Sequence, residues 1–307
     1  MANHLQIADA AIQARASQLT WIGAPTSAIN PQAEWFYRDY VNASLYVFVK
    51  PNGTTEPVHF LIGDIRIHYK QVGGGFGYPT IDETTTPDGI GRYNFFSHGP
   101  VIYWTPSTGA HAVYGAILER WKGLGYERST LGYPTTDETS YGTRGGRFNN
   151  FQFGSINFSP ATGAHEHIGA LPTTLSAGQN FTFPSGTPVG GWTNVEVHSD
   201  GSVRFRGDFH DSGFAPMEFN VVAVVKDADN VAYPLKHSGS LGGTIGGGPR
   251  DNAWDLTIHN NEIRDNWRSL VAGMQVAGQA NTNLDIGGTL SAALRVLGVV
   301  GTVISLV

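Results

Sequence analysis

Gly77-Tyr78-Pro79-Thr80-Ile81-Asp82-Glu83-Thr84 recurs 55 residues downstream as Gly132-Tyr133-Pro134-Thr135-Thr136-Asp137-Glu138-Thr139. Working outward, Gly91-Arg92-Tyr93-Asn94 recurs as Gly146-Arg147-Phe148-Asn149 at the same offset. Thr105-Pro106-Ser107-Thr108-Gly109-Ala110-His111 then recurs as Ser159-Pro160-Ala161-Thr162-Gly163-Ala164-His165, at an offset of 54. Three blocks in one order at one spacing mark a structural repeat, and the repeat decides the fold before any single element does.

A degenerate copy lies upstream. Ile22-Gly23-Ala24-Pro25-Thr26 precedes Phe76-Gly77-Tyr78-Pro79-Thr80 by 54 residues, and Ser44-Leu45-Tyr46 stands in the place of Val101-Ile102-Tyr103. His59, Leu61, Gly63, Ile65 and Tyr69 match His111, Val113, Gly115, Ile117 and Trp121. This copy lacks the Asp-Glu pair, as terminal repeats often depart from the pattern. Within a unit the period changes. Val113, Ile117 and Trp121 are spaced by four, one stripe of a short helix, and Leu61, Ile65 and Tyr69 repeat it. Leu5, Ala8, Ile12, Ala16 and Leu19 form a similar stripe at the start of the chain. Short strands at Arg92 to Phe96 and Val101 to Thr105 flank Pro- and Gly-bearing turns, so each unit reads as a helix and a small sheet.

The Leu131-Gly132-Tyr133-Pro134 core, the Asp-Glu pairs, the Ile102-Tyr103-Trp104 strand and the Gly-Ala-His turns resemble the LGFP repeat, over roughly residues 5 to 169. The resemblance implies a propeller-like array, a secreted or cell-envelope setting and attachment to polysaccharide. It does not imply catalysis. Three units are too few to close a ring easily. The array then stays open, is capped by the second domain or is completed by a partner chain, which makes a homo-oligomer one expectation.

After Leu171 the repeat stops. Strands are expected at Phe181 to Pro184, Trp192 to His198, Ser202 to His210, Met217 to Lys226 and Val231 to His237. A short helix comes next over Asn260 to Leu270, and a last strand over Val271 to Ala280. Asp200-Gly201 and Asp227 to Asn230 read as turns. The chain is therefore expected to be mainly β. Residues 1–170 form the short propeller-like or open array with a period of 54–55, 171–289 an antiparallel β-sandwich or barrel, and 290–307 an apolar tail. Two readings stand for Leu290 to Val307: a segment docked in a core or groove, or a membrane or oligomer contact.

The bulk composition narrows the function classes. With 40% apolar and 14% charged residues among 307, the chain is expected to fold throughout. A net charge of −6 without a basic block argues against a nucleic-acid partner. The absence of cysteine excludes disulfides, thiolate metal sites and cysteine nucleophiles. Met1 to Gln6 lacks the basic start and apolar run of a signal peptide, which leaves a cytoplasmic protein, another export route or a trimmed mature form.

Asp82-Glu83 and Asp137-Glu138 invite comparison with an acid–base pair. Each recurs with its repeat, however, which favours carboxylates that cap the backbone of their own turn. His111 and His165 occur once per repeat, and His165-Glu166-His167 is at most a weak metal motif, so no metal or cofactor is expected. Tyr103 and Trp104 point to opposite sides of a strand. One belongs to the core and the other is offered to a sugar ring, with Arg92 and Arg147 suited to hydroxyls or an acidic sugar. In the second domain Arg204, Arg206 and Asp208 alternate onto one solvated face, and no Gly-x-Ser-x-Gly elbow supports a Ser-His-Asp triad within Arg204 to Gly213. The leading expectation is a non-enzymatic carbohydrate-binding protein using Asp82, Glu83, Arg92, Tyr103, Trp104, His111, Asp137, Glu138, Arg147 and His165. The alternatives are a membrane-active protein using its tail, and a cell-wall hydrolase.

Overall fold

Each repeat carries a glycine that only glycine can occupy. Gly23, Gly77 and Gly132 sit in the left-handed region at φ of 79°, 77° and 71°, and a Cβ there would collide with Val41, Ser97 and Gln152 respectively. The proline two residues on, Pro25, Pro79 or Pro134, then makes an isolated antiparallel bridge to Tyr40, Phe96 or Phe151. These turns launch three small antiparallel sheets. The computed structural model describes residues 2–33, 35–183, 186–282 and 285–304.

The first repeat runs α1 (Ala2–Ala16), β1 (Asn30–Pro31), β2 (Trp35–Asp39), β3 (Ala43–Phe48) and β4 (His59–Ile62). Helix α2 (Gly63–Val72) leads to β5 (Thr84–Thr85), β6 (Arg92–Phe95), β7 (Val101–Thr105) and β8 (Gly109–Val113). Helix α3 (Gly115–Leu124) leads to β9 (Thr139–Tyr141), β10 (Gly146–Phe151), β11 (Gly154–Ser159) and β12 (Gly163–Ile168). Strands are ordered sequentially in each of these three sheets. The four-residue stripes are the buried faces of the helices. Ala8 and Ile12 of α1 pack on Leu45 and Val47 of the first sheet. Ile65 and Tyr69 of α2 pack between Tyr46 and Ile102, and Ile117 and Trp121 of α3 pack between Tyr103 and Ile156. Helices α2 and α3 thus each fill the space between one sheet and the next, which is the open form of the array.

The chain divides into two compact units. The first takes in residues up to Thr139 with Arg147–Phe158 and Ala164–Ala170, and the second Ser140–Gly146, Ser159–Gly163 and the chain from Leu171 onward. The second unit contains β13 (Thr174–Thr182), β14 (Val189–His198), β15 (Ser202–Asp211), β16 (Met217–Lys226), β17 (Ala232–Leu241) and β18 (Asp251–His259). After these come α4 (Asn261–Asp265), α5 (Trp267–Gly273), β19 (Gln275–Asn281) and α6 (Ile286–Val296). Sheets β13-β14-β15-β18 and β17-β16-β19 face each other as a sandwich, not a barrel, around Val203, Phe205, Phe209, Phe219, Val221 and Tyr233.

Several boundaries differ from the sequence reading. The strand expected at Phe181 to Pro184 begins at Thr174, and Pro184 lies outside the described residues. The expected helix is two helices, because the Asn266 side chain donates to the Glu262 carbonyl at 2.8 Å and the chain turns there. Strand β18 has no counterpart in the sequence reading. Arg204, Arg206 and Asp208 do share one face of β15, opposite the buried Val203, Phe205 and Phe209. Within the tail, α6 is amphipathic. Ala293, with Leu290 and Leu294, packs on Val222, Val224 and Ala232, the outer face of β16 and β17. The chain then runs along β17, the Ala232 amide donating to the Thr302 carbonyl at 2.9 Å and the Ile304 amide to the Ala232 carbonyl at 2.8 Å. The described part of Leu290 to Val307 is thus docked on its own sheet, and residues 305–307 lie outside the described residues.

Candidate functional site

The Asp-Glu pairs cap backbone amides, but not those of their own turn. Strands β4 and β8 are the last strands of the first two sheets, with amides that no further strand pairs among the described residues. Asp82 Oδ1 accepts from the Phe60 amide at 3.3 Å and lies 3.2 Å from His59 Nδ1, while Glu83 Oε2 accepts from the Ile62 amide at 3.1 Å. One repeat later, Asp137 Oδ1 accepts from the Ala112 amide at 2.8 Å. It lies 2.9 Å from His68 Nε2 and 3.7 Å from His111 Nδ1. Asp82, Glu83 and Asp137 therefore seal the exposed edge of the preceding sheet, while Glu138 pairs with Arg147. This corrects the expectation of a local cap, and the reason is electrostatic: an open edge presents N–H donors, and a carboxylate satisfies them better than water does in a half-buried seam.

The titration behaviour reflects this role. Burial opposes ionisation of Asp137, yet the bonds from His111, His68 and the Ala112 amide outweigh it and hold the carboxyl below its usual range. Asp82 is held down in the same way against burial, by His59, Arg15 and the Phe60 amide. Glu83 goes the other way. Burial pushes its carboxyl up to about 7, with the Ile62 amide and Arg92 only partly opposing. Glu138 is likewise raised by burial against Arg147.

The remaining residues proposed from sequence divide. Tyr103 is core, 3% exposed, stacked on Tyr93 and edge-on to Trp121. Trp104 faces the α2 side, half-buried, and its indole N–H donates to Asp64 at 2.8 Å. His111 Nε2 lies 2.8 Å from the Thr108 carbonyl and holds its turn. Arg92 and Arg147 remain substantially exposed while pairing with Glu83 and Glu138. His165 occupies the corresponding place on β12. These residues are strung along successive sheet edges and do not converge on one cavity.

A cavity does exist, at the junction of the first and second repeats. It has a volume of about 360 Å³ and is lined by Gln32, Trp35, Tyr37, Tyr46, Tyr69, Lys70 and Gly74. Tyr37 stacks on Tyr46 with centroids 5.6 Å apart, and Tyr69 meets Tyr46 edge-on at 5.5 Å. The Tyr69 hydroxyl donates to the Gly77 carbonyl at 2.5 Å. Lys70 Nζ is fixed 2.6 Å from Asp39, beside Arg66 and Ser44. Burial pushes the Tyr46 and Tyr69 phenols far up.

The second junction repeats this construction with the cavity filled. Tyr93, Tyr103 and Trp121 take the places of Tyr37, Tyr46 and Tyr69, the first two directly opposed in the ladder in both sheets. A 3-10 turn follows the helix at both junctions, Gly73–Gly75 at the first and Tyr126–Arg128 at the second, where the connection to the left-handed glycine is longer. The Tyr126 ring lies 5.5 Å from Trp121 and 6.3 Å from Tyr103, and Glu127 is buried close by. Tyr126 holds φ at 56°, a left-handed conformation that costs a tyrosine energy, and does so with its ring packed in the seam. Three glycines leave the corresponding space open. A Cβ on Gly74 would meet nothing within 4 Å.

Stacked helix-and-sheet units with one open, aromatic-walled junction define a repeat protein. The LGFP repeat family model matches residues 76–129 and 131–177, and the chain carries LGFP repeats there. The first unit lies upstream of both stretches and is assigned to the array by its equivalent glycine, bridge and core positions. No curated protein matches the chain. Among the described residues no helix is long and apolar enough to cross a membrane.

Proposed function

We propose that this is a non-enzymatic, carbohydrate-binding protein of the cell envelope that takes a glycan into the cavity between its first two repeats. The observation that carries the reading is the turn after the helix, which holds Tyr126 and Glu127 in the seam at the second junction and is a shorter run, Gly73-Gly74-Gly75, at the first, where an aromatic-walled cavity stays open. A pyranose presents an apolar C–H face and a rim of hydroxyls. Trp35 and Tyr37 supply flat apolar surface, and Gln32 and Lys70 supply polar groups at the mouth. The other junction is filled, so of the two junctions one offers a site of this kind.

The test is a broad glycan array probed with the wild-type chain and Gly74→Tyr. A tyrosine is tolerated at Gly74, because the space beyond its Cα is open and its φ is not left-handed. The reading expects wild-type binding that falls about tenfold or more in the variant, the loss that results when an aromatic pocket is closed to its ligand. Equal binding by both, or none by the wild type, overturns it.

A further inference from the structure

The sandwich presents its own aromatic surface. Along β13, β14 and β15 the ladder sets Asn180 opposite Trp192 and Trp192 opposite Asp208. Two residues along the strands it sets Gly178 opposite Asn194 and Asn194 opposite Arg206. All six lie on the sheet face turned away from the core, because their neighbours Phe181, Val195, Phe205 and Phe209 are the buried ones. Trp192 is 40% exposed, an unusual position for the largest apolar side chain on a face otherwise made of amides and charges. Beside it the surface dips into a cavity of about 290 Å³ lined by Gly178, Asn180, Trp192, Asn194 and Arg206. The dip exists because Gly178 has no side chain.

The polar groups around the ring are held in place. Arg206 donates through Nη2 to Glu196 at 2.7 Å and through Nε to Asn194 Oδ1 at 3.4 Å. Asn194 Nδ2 donates to the Ala177 carbonyl at 3.4 Å. Asp208, across from Trp192, has a solvent-shielded carboxylate oxygen, Oδ1, with no hydrogen-bond donor among the described residues. The fixed Arg206–Glu196 pair and the surrounding amides present no surplus positive charge for an acidic ligand.

We infer that this face is a second binding site, for one pyranose of a neutral glycan. Its apolar side stacks on Trp192, its edge enters the dip over Gly178, and its hydroxyls bond Asn180 and Asn194. The site lies wholly in the second unit and does not rest on the cavity in the repeats.

Affinity gel electrophoresis of the full chain tests this, with soluble hydroxyethylcellulose, xylan, glucomannan and arabinogalactan as neutral probes and polygalacturonate as the acidic one. Two variants separate binding from folding. Trp192→Ala removes the platform. Gly178→Val fills the dip with a residue suited to a strand, since a Cβ there meets only Asn194 and the Thr193 carbonyl, both at 3.5 Å. The inference expects retardation by at least one neutral polysaccharide that weakens about tenfold or more in both variants, with unchanged circular dichroism. Retardation of both variants equal to the wild type overturns it, as does retardation by polygalacturonate alone or by no probe. Binding lost in Gly74→Tyr but kept in Trp192→Ala overturns this site and leaves the repeat cavity standing, and the opposite pattern does the reverse.

Discussion

The two junctions of the repeat array have the same aromatic frame and differ in the turn after the helix. At the second, Tyr126 and Glu127 close the space beside Tyr103 and Trp121. At the first, three glycines leave the space beside Tyr46 and Tyr69 open. A repeat protein can thus open a packing seam into a cavity by changing one turn, without altering the strands and helices that position the walls. Edge sealing, by contrast, is the same at both junctions: an aspartate of the next repeat reaches the last strand of the previous sheet.

The comparison predicts unequal losses. Trp121→Ala is expected to cost about 3–5 kcal/mol, since its ring is fully enclosed, whereas Tyr69→Ala, already bordering a cavity, costs about 2–3 kcal/mol. Urea denaturation of the two variants measures this, and equal losses would break the distinction between a filled and an open junction. Asp137→Ala is expected to cost about 1–3 kcal/mol at pH 7 by leaving the Ala112 amide and two histidines without their acceptor. The folded carboxyl is held below its unfolded value. Its contribution is therefore present above the unfolded pKa and lost as pH falls through the folded one, so wild type and variant converge in strong acid.

Tyr126→Gly sharpens the comparison from the other side. The lost ring packing is partly offset by relief of the left-handed backbone, so the net change is expected within about 1 kcal/mol. The variant gains a second cavity, read as a rise in glycan bound per chain. The smallest effect belongs to Glu83→Gln. Burial raises Glu83 from 4.5 to about 7, so the stability gained with its proton is full below pH 4.5 and lost as pH rises through about 7. Thermal melts from pH 5 to 8 should decline less steeply in the variant, and parallel curves would contradict the buried carboxyl.

The array was legible in the sequence because its constraints are local. The left-handed Gly77 and Gly132, the prolines after them and the four-spaced stripes each leave a signature within a few residues. The targets of the Asp-Glu pairs were not, because the amides they seal lie more than twenty residues upstream, on a strand edge that only the folded sheet creates. Strand β18 was legible in the alternation of Trp254, Leu256 and Ile258 with the polar Asp255 and Thr257, and the sequence reading missed it. The cavity itself is made of missing side chains, and motif reading looks for residues that are present. The signal that would have found it is the glycine-only, shorter connection between Tyr69 and Gly77, set against the one between Trp121 and Gly132 that carries Tyr126.

The central claim is that the glycine turn opens a ligand site at one junction and not at the other. The most direct measurement is a titration of the labelled chain with its best array glycan, tracking the backbone amides of Gly74 and Tyr126 and the indole N–H of Trp35 by NMR. The account predicts saturable shifts at Gly74 and Trp35 with Tyr126 unmoved. Shifts at Tyr126, or none at Gly74 and Trp35 while the glycan binds, would contradict it.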